Sequence, residues 1–184
     1  MKKSFSREIK DSIRQQAISI MKDSAKADNL SLHGDNLALL SFPDSGLFVN
    51  APIEGIEKLD FKTMFDGHPV LNNIPIMYWY LSDTILDEKK SPISSGFYTV
   101  FANSTNGTTS LRDSNGKTIA HGDLTINISS NPKIVAKPSL FGVSVSGGID
   151  SFKRTKNGIK VCGHVTVSAG PADITVSGCI EVKN

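Results

Sequence analysis

The sequence has no long apolar run and no recognisable secretory leader. The longest apolar stretch, Ile74 to Leu81, contains Pro75 and is far shorter than the roughly 20 residues of a membrane-spanning helix. Charged residues such as Arg7, Glu8 and Lys10 interrupt the region where a signal peptide needs an apolar core of roughly 7–15 residues. The sequence therefore favours a cytoplasmic location, and export after removal of a leader stays open.

The chain also lacks a strong excess of either charge. It has 20 Lys and Arg against 18 Asp and Glu, a net charge of +2, and its basic residues are spread along the chain. The nearest basic cluster, Lys153, Arg154 and Lys156, adjoins an Asn-Gly turn, where charged side chains are typically solvated. Nucleic acid is therefore not an expected partner.

Cofactor and catalytic motifs are missing as well. The sequence has no phosphate-binding loop, no Gly-x-Gly-x-x-Gly before a helix and no Gly-x-Ser-x-Gly elbow. Cys162, His164 and Cys179 offer three soft ligands but no fourth for zinc, and the loop beginning at Asp113 lacks the glutamate of a calcium loop. We expect no metal and no cofactor; the alternative is an active site that forms only in the folded chain, from residues around His121 or His164.

An amphipathic helix is predicted at the amino terminus, within residues 1–27. Apolar residues recur there at steps of three and four. They are Phe5, Ile9, Ile13, Ala17, Ile20, Met21 and Ala25.

After residue 37 the periodicity changes to two, which predicts a β-rich body over residues 37–184. Strands are expected at Leu37 to Phe42, Leu47 to Ala51 and Ile76 to Leu81, with a short helix between Glu57 and Gly67. Three Asn-Gly pairs follow in about fifty residues, and this pair is the strongest short-range signal for a hairpin. With 184 residues, 39% of them hydrophobic, the chain is expected to form one domain.

The last two strands can be aligned residue by residue. Folding the chain about Gly170-Pro171 places Val165 opposite Val176 and Cys162 opposite Cys179, and a slip of one residue would pair apolar with polar side chains. The two cysteines, the only ones in the chain, would then form a structural disulfide, a labile redox pair or two free thiols. For the preceding strand, a bulged three-residue loop at Gly158 predicts Ile149 opposite Val165.

Aromatic residues are concentrated in two segments, around Trp79 and around Tyr98. In one interpretation they are core residues. In the other, Tyr78, Trp79, Tyr80 and Tyr98 bind a ligand, with Trp79 facing outward as the main contact.

These patterns predict a mainly β protein, an antiparallel β-sandwich or flattened barrel of about eight to ten strands with an N-terminal amphipathic α-helix. The function expected first is a non-catalytic binding or interaction module for a carbohydrate, a small apolar molecule or a protein. A membrane-active protein that uses the N-terminal helix, and an enzyme, are the alternatives. The sequence does not give the oligomeric state.

Overall fold

The computed structural model describes residues 7–33, 38–42, 46–54, 71–81, 95–129, 144–156, 158–169 and 172–183. One long helix and ten strands are found in these ranges. They are α1 (Arg7–Ala27), β1 (Ala38–Phe42), β2 (Gly46–Pro52), β3 (Ile74–Leu81), β4 (Gly96–Asn103), β5 (Thr108–Asp113), β6 (Thr118–Asp123), β7 (Thr125–Ser129), β8 (Ser144–Thr155), β9 (Gly158–Ala169) and β10 (Ala172–Lys183). The short helix predicted between Glu57 and Gly67 lies outside the described residues.

The strands form one antiparallel sheet in the order β1-β2-β3-β4-β5-β6-β10-β9-β8, with β7 pairing to β10 beside β6. The sheet curls into a nearly closed barrel, because β8 returns to pack against β2. This confirms the predicted antiparallel β fold with an N-terminal helix.

Glycine allows the close approach of β8 to β2. A Cβ at Gly147 would lie 2.9 Å from Cγ of Pro52 and 3.0 Å from the carbonyl oxygen of His164, both tighter than ordinary van der Waals contact. Since Pro52 has a rigid ring, a larger residue at position 147 would push the two strands apart.

The hairpin predictions are confirmed at most positions. Gly107 and Gly116 have positive φ angles of 64° and 81°, which the Asn-Gly turns require. In the last hairpin Val165 pairs with Val176 and Cys162 with Cys179, in the predicted register.

The predicted loop between β8 and β9 is wrong. Thr155 pairs with Gly158 and Ile149 pairs with Gly163, not with Val165. The bulge lies at Asp150 and not at Gly158. Gly158 instead lies so close to β10 that a Cβ there would be 1.9 Å from the carbonyl oxygen of Val182. Close contact with β10, and not a left-handed turn, therefore accounts for this glycine.

Two apolar clusters lie on the two sides of the barrel wall. The larger fills the interior and draws on strands from β2 to β10. The smaller lies outside, where Ala17, Met21 and Ala25 of α1 cover Val49 and Ala51 of β2. The carboxy-terminal half of the predicted apolar stripe therefore packs against the sheet, except Ile20, which is 43% exposed; Phe5, Ile9 and Ile13 lie outside the residues whose side chains the structure describes.

The hydroxyl of Tyr78 on β3 hydrogen-bonds Ser24 of α1 at 2.5 Å, so the contact between helix and barrel has a polar as well as an apolar part. Within the described ranges, no helix combines the length and the apolar character needed to span a membrane.

Candidate ligand-binding site

The four aromatic residues proposed from the sequence lie on two different faces of the barrel wall. Tyr78 and Tyr80 point outward, under or beside the helix, whereas Trp79 and Tyr98 point into the interior. The outward orientation expected for Trp79 is wrong: its side chain is only 2% exposed. Because α1 covers the outer face of β3, both faces of this strand are apolar, and its pattern cannot show which residues point inward.

Trp79 lines a hollow inside the barrel. The lining is mainly apolar and comes chiefly from β3, β9 and β10. It includes Ile76, Met77, Trp79, Val161, Val176 and Ile180. Apolar concavities with a few polar groups are the usual form of small-molecule sites.

The hollow is narrow. The space that the centre of a water molecule can occupy in it is about 20 Å³, slightly more than one bound water needs. A larger guest therefore requires a lining side chain to move.

Met77 is the side chain best suited to move. Its terminal methyl carbon lies 3.5 Å from the position that a Cβ on Gly163 would occupy, so Met77 extends from β3 across the hollow to β9. Methionine is unbranched and has several rotatable bonds, so it adapts to irregular space at low cost. A Cβ at Gly163 would make only an ordinary contact with Met77, and the atom it would crowd is the carbonyl oxygen of Gly148 at 2.8 Å.

A polar pair lies on the same interior face. Asn50 of β2 is fully buried and lies directly opposite Trp79 of β3. Neither the amide of Asn50 nor Nε1 of Trp79 has a hydrogen-bond partner among the described residues. An unpartnered buried polar group costs about 1–3 kcal/mol, so the barrel interior contains unused hydrogen-bonding capacity.

Asn50 was missed in the sequence analysis. The sequence signal for it is the single amide in the run Leu47-Phe48-Val49-Asn50-Ala51. Phe48 points into the barrel, and Asn50, two residues later on the same strand, points the same way. A polar residue at an interior position of a buried strand normally has a partner, and its lack of one is visible only in the structure.

A second group of polar residues lies on the outer face of β8 to β10. Nδ1 of His164 is 2.8 Å from Oδ1 of Asp150, the bulged residue, and both side chains are partly exposed. The edge of the imidazole ring lies over Gly148. Asp150 therefore orients the ring of one of the two histidines considered as catalytic from the sequence, while His121 is exposed on β6.

The disulfide predicted as one of three states of the cysteine pair is present. Cys162 and Cys179 are bonded, with their Cα atoms 4.0 Å apart, next to His164 on the outer face. With both sulfurs in this bond, neither is a thiolate ligand for a metal. Within the described ranges, no group of three or more His, Cys, Asp and Glu side chains forms a metal site.

Comparisons with protein-family models, with curated proteins and with solved structures gave no match to this chain.

Proposed function

We propose that this protein is a non-catalytic binding module that takes a small, largely apolar molecule into the barrel. The observation that carries the proposal is the apolar hollow with Trp79 in its wall. Of the three ligand classes expected from the sequence, this one fits the site best, since Trp79 and Tyr98 face the interior, whereas the outer rings of Tyr78, Tyr80 and Phe97 stack on one another beside α1.

The adaptability of Met77 supports the proposal. The hollow is small, and rotation of this flexible side chain would open it without movement of the strands. Apolar contact with Val161, Val176 and Ile180 would then stabilise the guest by about 25 cal/mol for each Å² of apolar surface removed from water.

A hydrophobic dye, N-phenyl-1-naphthylamine, tests the proposal. The dye is titrated into the wild type and into Val161→Phe, which places a larger ring in the hollow. Val165→Phe is the matched control: Val165 lies on the same strand and interior face, is equally buried, and is not part of the lining.

We expect saturable dye binding by the wild type and by Val165→Phe, and at least tenfold weaker binding by Val161→Phe. Circular dichroism and melting temperature show that both variants are folded, which matters because overpacking a core costs about 1–3 kcal/mol. Equal binding by the two variants, or no saturable binding by the wild type, would contradict the proposal.

A further inference from the structure

Three side chains with hydrogen-bonding groups form a row across the interior wall of the barrel. The strand register places Asn50 of β2 opposite Trp79 of β3, and Trp79 opposite Tyr98 of β4. Directly opposed residues have Cβ atoms about 4.5–5.5 Å apart, so one small group can contact two neighbours in this row. All three side chains are at most 5% exposed.

The row offers both donors and an acceptor. The amide of Asn50 can donate and accept, and the indole N–H of Trp79 can only donate. Both are without a hydrogen-bond partner among the described residues. Tyr98, at the far end of the row, already makes an interaction of its own.

The charged side chains near the site restrict the charge that the ligand can carry. Neither the row nor the described lining of the hollow contains a Lys, Arg or His side chain. Arg112, a cation on the neighbouring strand β5, stacks on the ring of Phe101, which alternates with the interior-facing Val100 and Ala102 and so lies on the outer face. A carboxylate in the interior would be buried without a counter-charge, which is strongly unfavourable.

We infer that the ligand is uncharged and carries one neutral hydrogen-bonding group, such as an alcohol, on an apolar body. The apolar body occupies the hollow, and the polar group lies at Asn50 and Trp79. A hydroxyl satisfies both: its hydrogen is donated to Oδ1 of Asn50, while its oxygen accepts the indole N–H of Trp79. The inference rests on the proposed function, because it names the class of molecule that the same hollow takes up.

The test compares 1-hexanol, hexane and hexanoate by displacement of N-phenyl-1-naphthylamine from the wild type and from Asn50→Leu. Leucine keeps about the same volume and removes both polar atoms. Thr109→Val is the control, since Thr109 lines the hollow as Trp79, the neighbour of Asn50, does, and its hydroxyl already donates to the carbonyl oxygen of Asp123.

We expect the ratio of hexanol affinity to hexane affinity to fall about tenfold in Asn50→Leu, as loss of a hydrogen bond to a buried partner predicts, and to stay unchanged in Thr109→Val. Hexanoate should bind more weakly than hexanol to the wild type. An unchanged ratio in Asn50→Leu, with both compounds bound, would overturn the inference and leave the proposed function standing. If the dye binds and neither compound displaces it, the inference fails alone, whereas absence of saturable dye binding to the wild type means that the proposed function fails as well.

A measurement on the unaltered protein covers the case in which Asn50→Leu does not fold. Trp79 is the only tryptophan, so the protein has a single indole N–H signal in a ¹H–¹⁵N spectrum. Hexanol should move this signal downfield and hexane should not. The same displacement with both compounds would contradict a hydrogen bond from Trp79 to the ligand.

Discussion

Met77 of β3 reaches across the interior of the barrel to Gly163 of β9, where its methyl carbon lies 3.5 Å from the site of a missing Cβ. The side chain therefore occupies the space in which we place the ligand. Replacing it with a smaller residue should lower the stability of the protein and raise its affinity for a ligand.

Met77→Ala should lose about 2–5 kcal/mol of unfolding free energy and bind N-phenyl-1-naphthylamine more tightly, because the hollow is enlarged. Denaturant unfolding and dye titration measure the two effects. Met21→Ala is the control: Met21 is fully buried but belongs to α1 and packs against the outer face of the sheet. It should lose similar stability with no gain in dye affinity, and a gain in this variant would contradict our location of the site.

The contact between Tyr78 and Ser24 predicts a dependence of stability on pH. Burial raises the pKa of Tyr78 above its usual value of about 10, the hydrogen bond with Ser24 lowers this pKa, and the charge of Asp28 raises it, so that the net effect is upward. The folded state thus favours the neutral phenol. The stabilisation is complete below pH about 10 and is lost as the pH rises through the raised pKa.

Tyr78→Phe should lower the unfolding free energy at neutral pH by about 1 kcal/mol, the usual net value of one hydrogen bond. It should also lose less stability than the wild type between pH about 9 and about 12. Urea unfolding across this range measures both effects, and Ser24→Ala completes a double-mutant cycle. Additive effects of the two substitutions would show that the hydrogen bond does not couple helix and barrel.

Alanine substitutions at two neighbouring glycines of β8 test whether the barrel is closed by close packing of β8 on β2. Gly147→Ala brings a methyl group against Pro52 and a backbone carbonyl, and we expect a loss of about 1–3 kcal/mol. At Gly148 the nearest atom to an added Cβ is Cε1 of His164 at 3.4 Å, an ordinary contact, so Gly148→Ala should be nearly neutral. Equal effects in thermal unfolding would contradict the close packing of β8 on β2.

The disulfide predicts that the unfolded, unreduced chain has no thiol that reacts with Ellman's reagent. The double variant Cys162→Ala, Cys179→Ala should lose about 3 kcal/mol of unfolding free energy, as expected for a loop of this size, since the cysteines are 17 residues apart. Thr166→Val with Thr175→Val is the control, because this pair on the same two strands shares only a hydrogen bond. Two reactive thiols in the wild type would contradict the bond.

Much of this fold could be predicted from the sequence wherever one face of a strand is apolar and the other polar. The register of β9 on β10 is of this kind, because a slip by one residue would bury Thr166 and expose Val165. The register of β8 on β9 was predicted incorrectly, since the bulge at Asp150 has no distinctive sequence and resets the alternation.

The candidate site was harder to predict, because it depends on which face of β3 points inward. Trp79 and Tyr78 are both buried, one by the barrel and one by the helix, so alternation of hydrophobicity does not separate them. The pairing of Asn50 with Trp79 joins residues 29 positions apart, and only the order of the strands brings them together.

The most direct test of ligand binding inside the barrel uses energy transfer from Trp79 to bound N-phenyl-1-naphthylamine. Trp79 is the only tryptophan and lines the hollow, so all energy transfer starts from one residue in the wall of that site, and Val161→Phe, which fills the hollow, should weaken the transfer together with dye binding. We predict a saturable loss of Trp79 emission with a matching rise in dye emission at one dye per chain, reversed by hexanol. Dye binding that saturates without any change in Trp79 emission would contradict a ligand site inside the barrel.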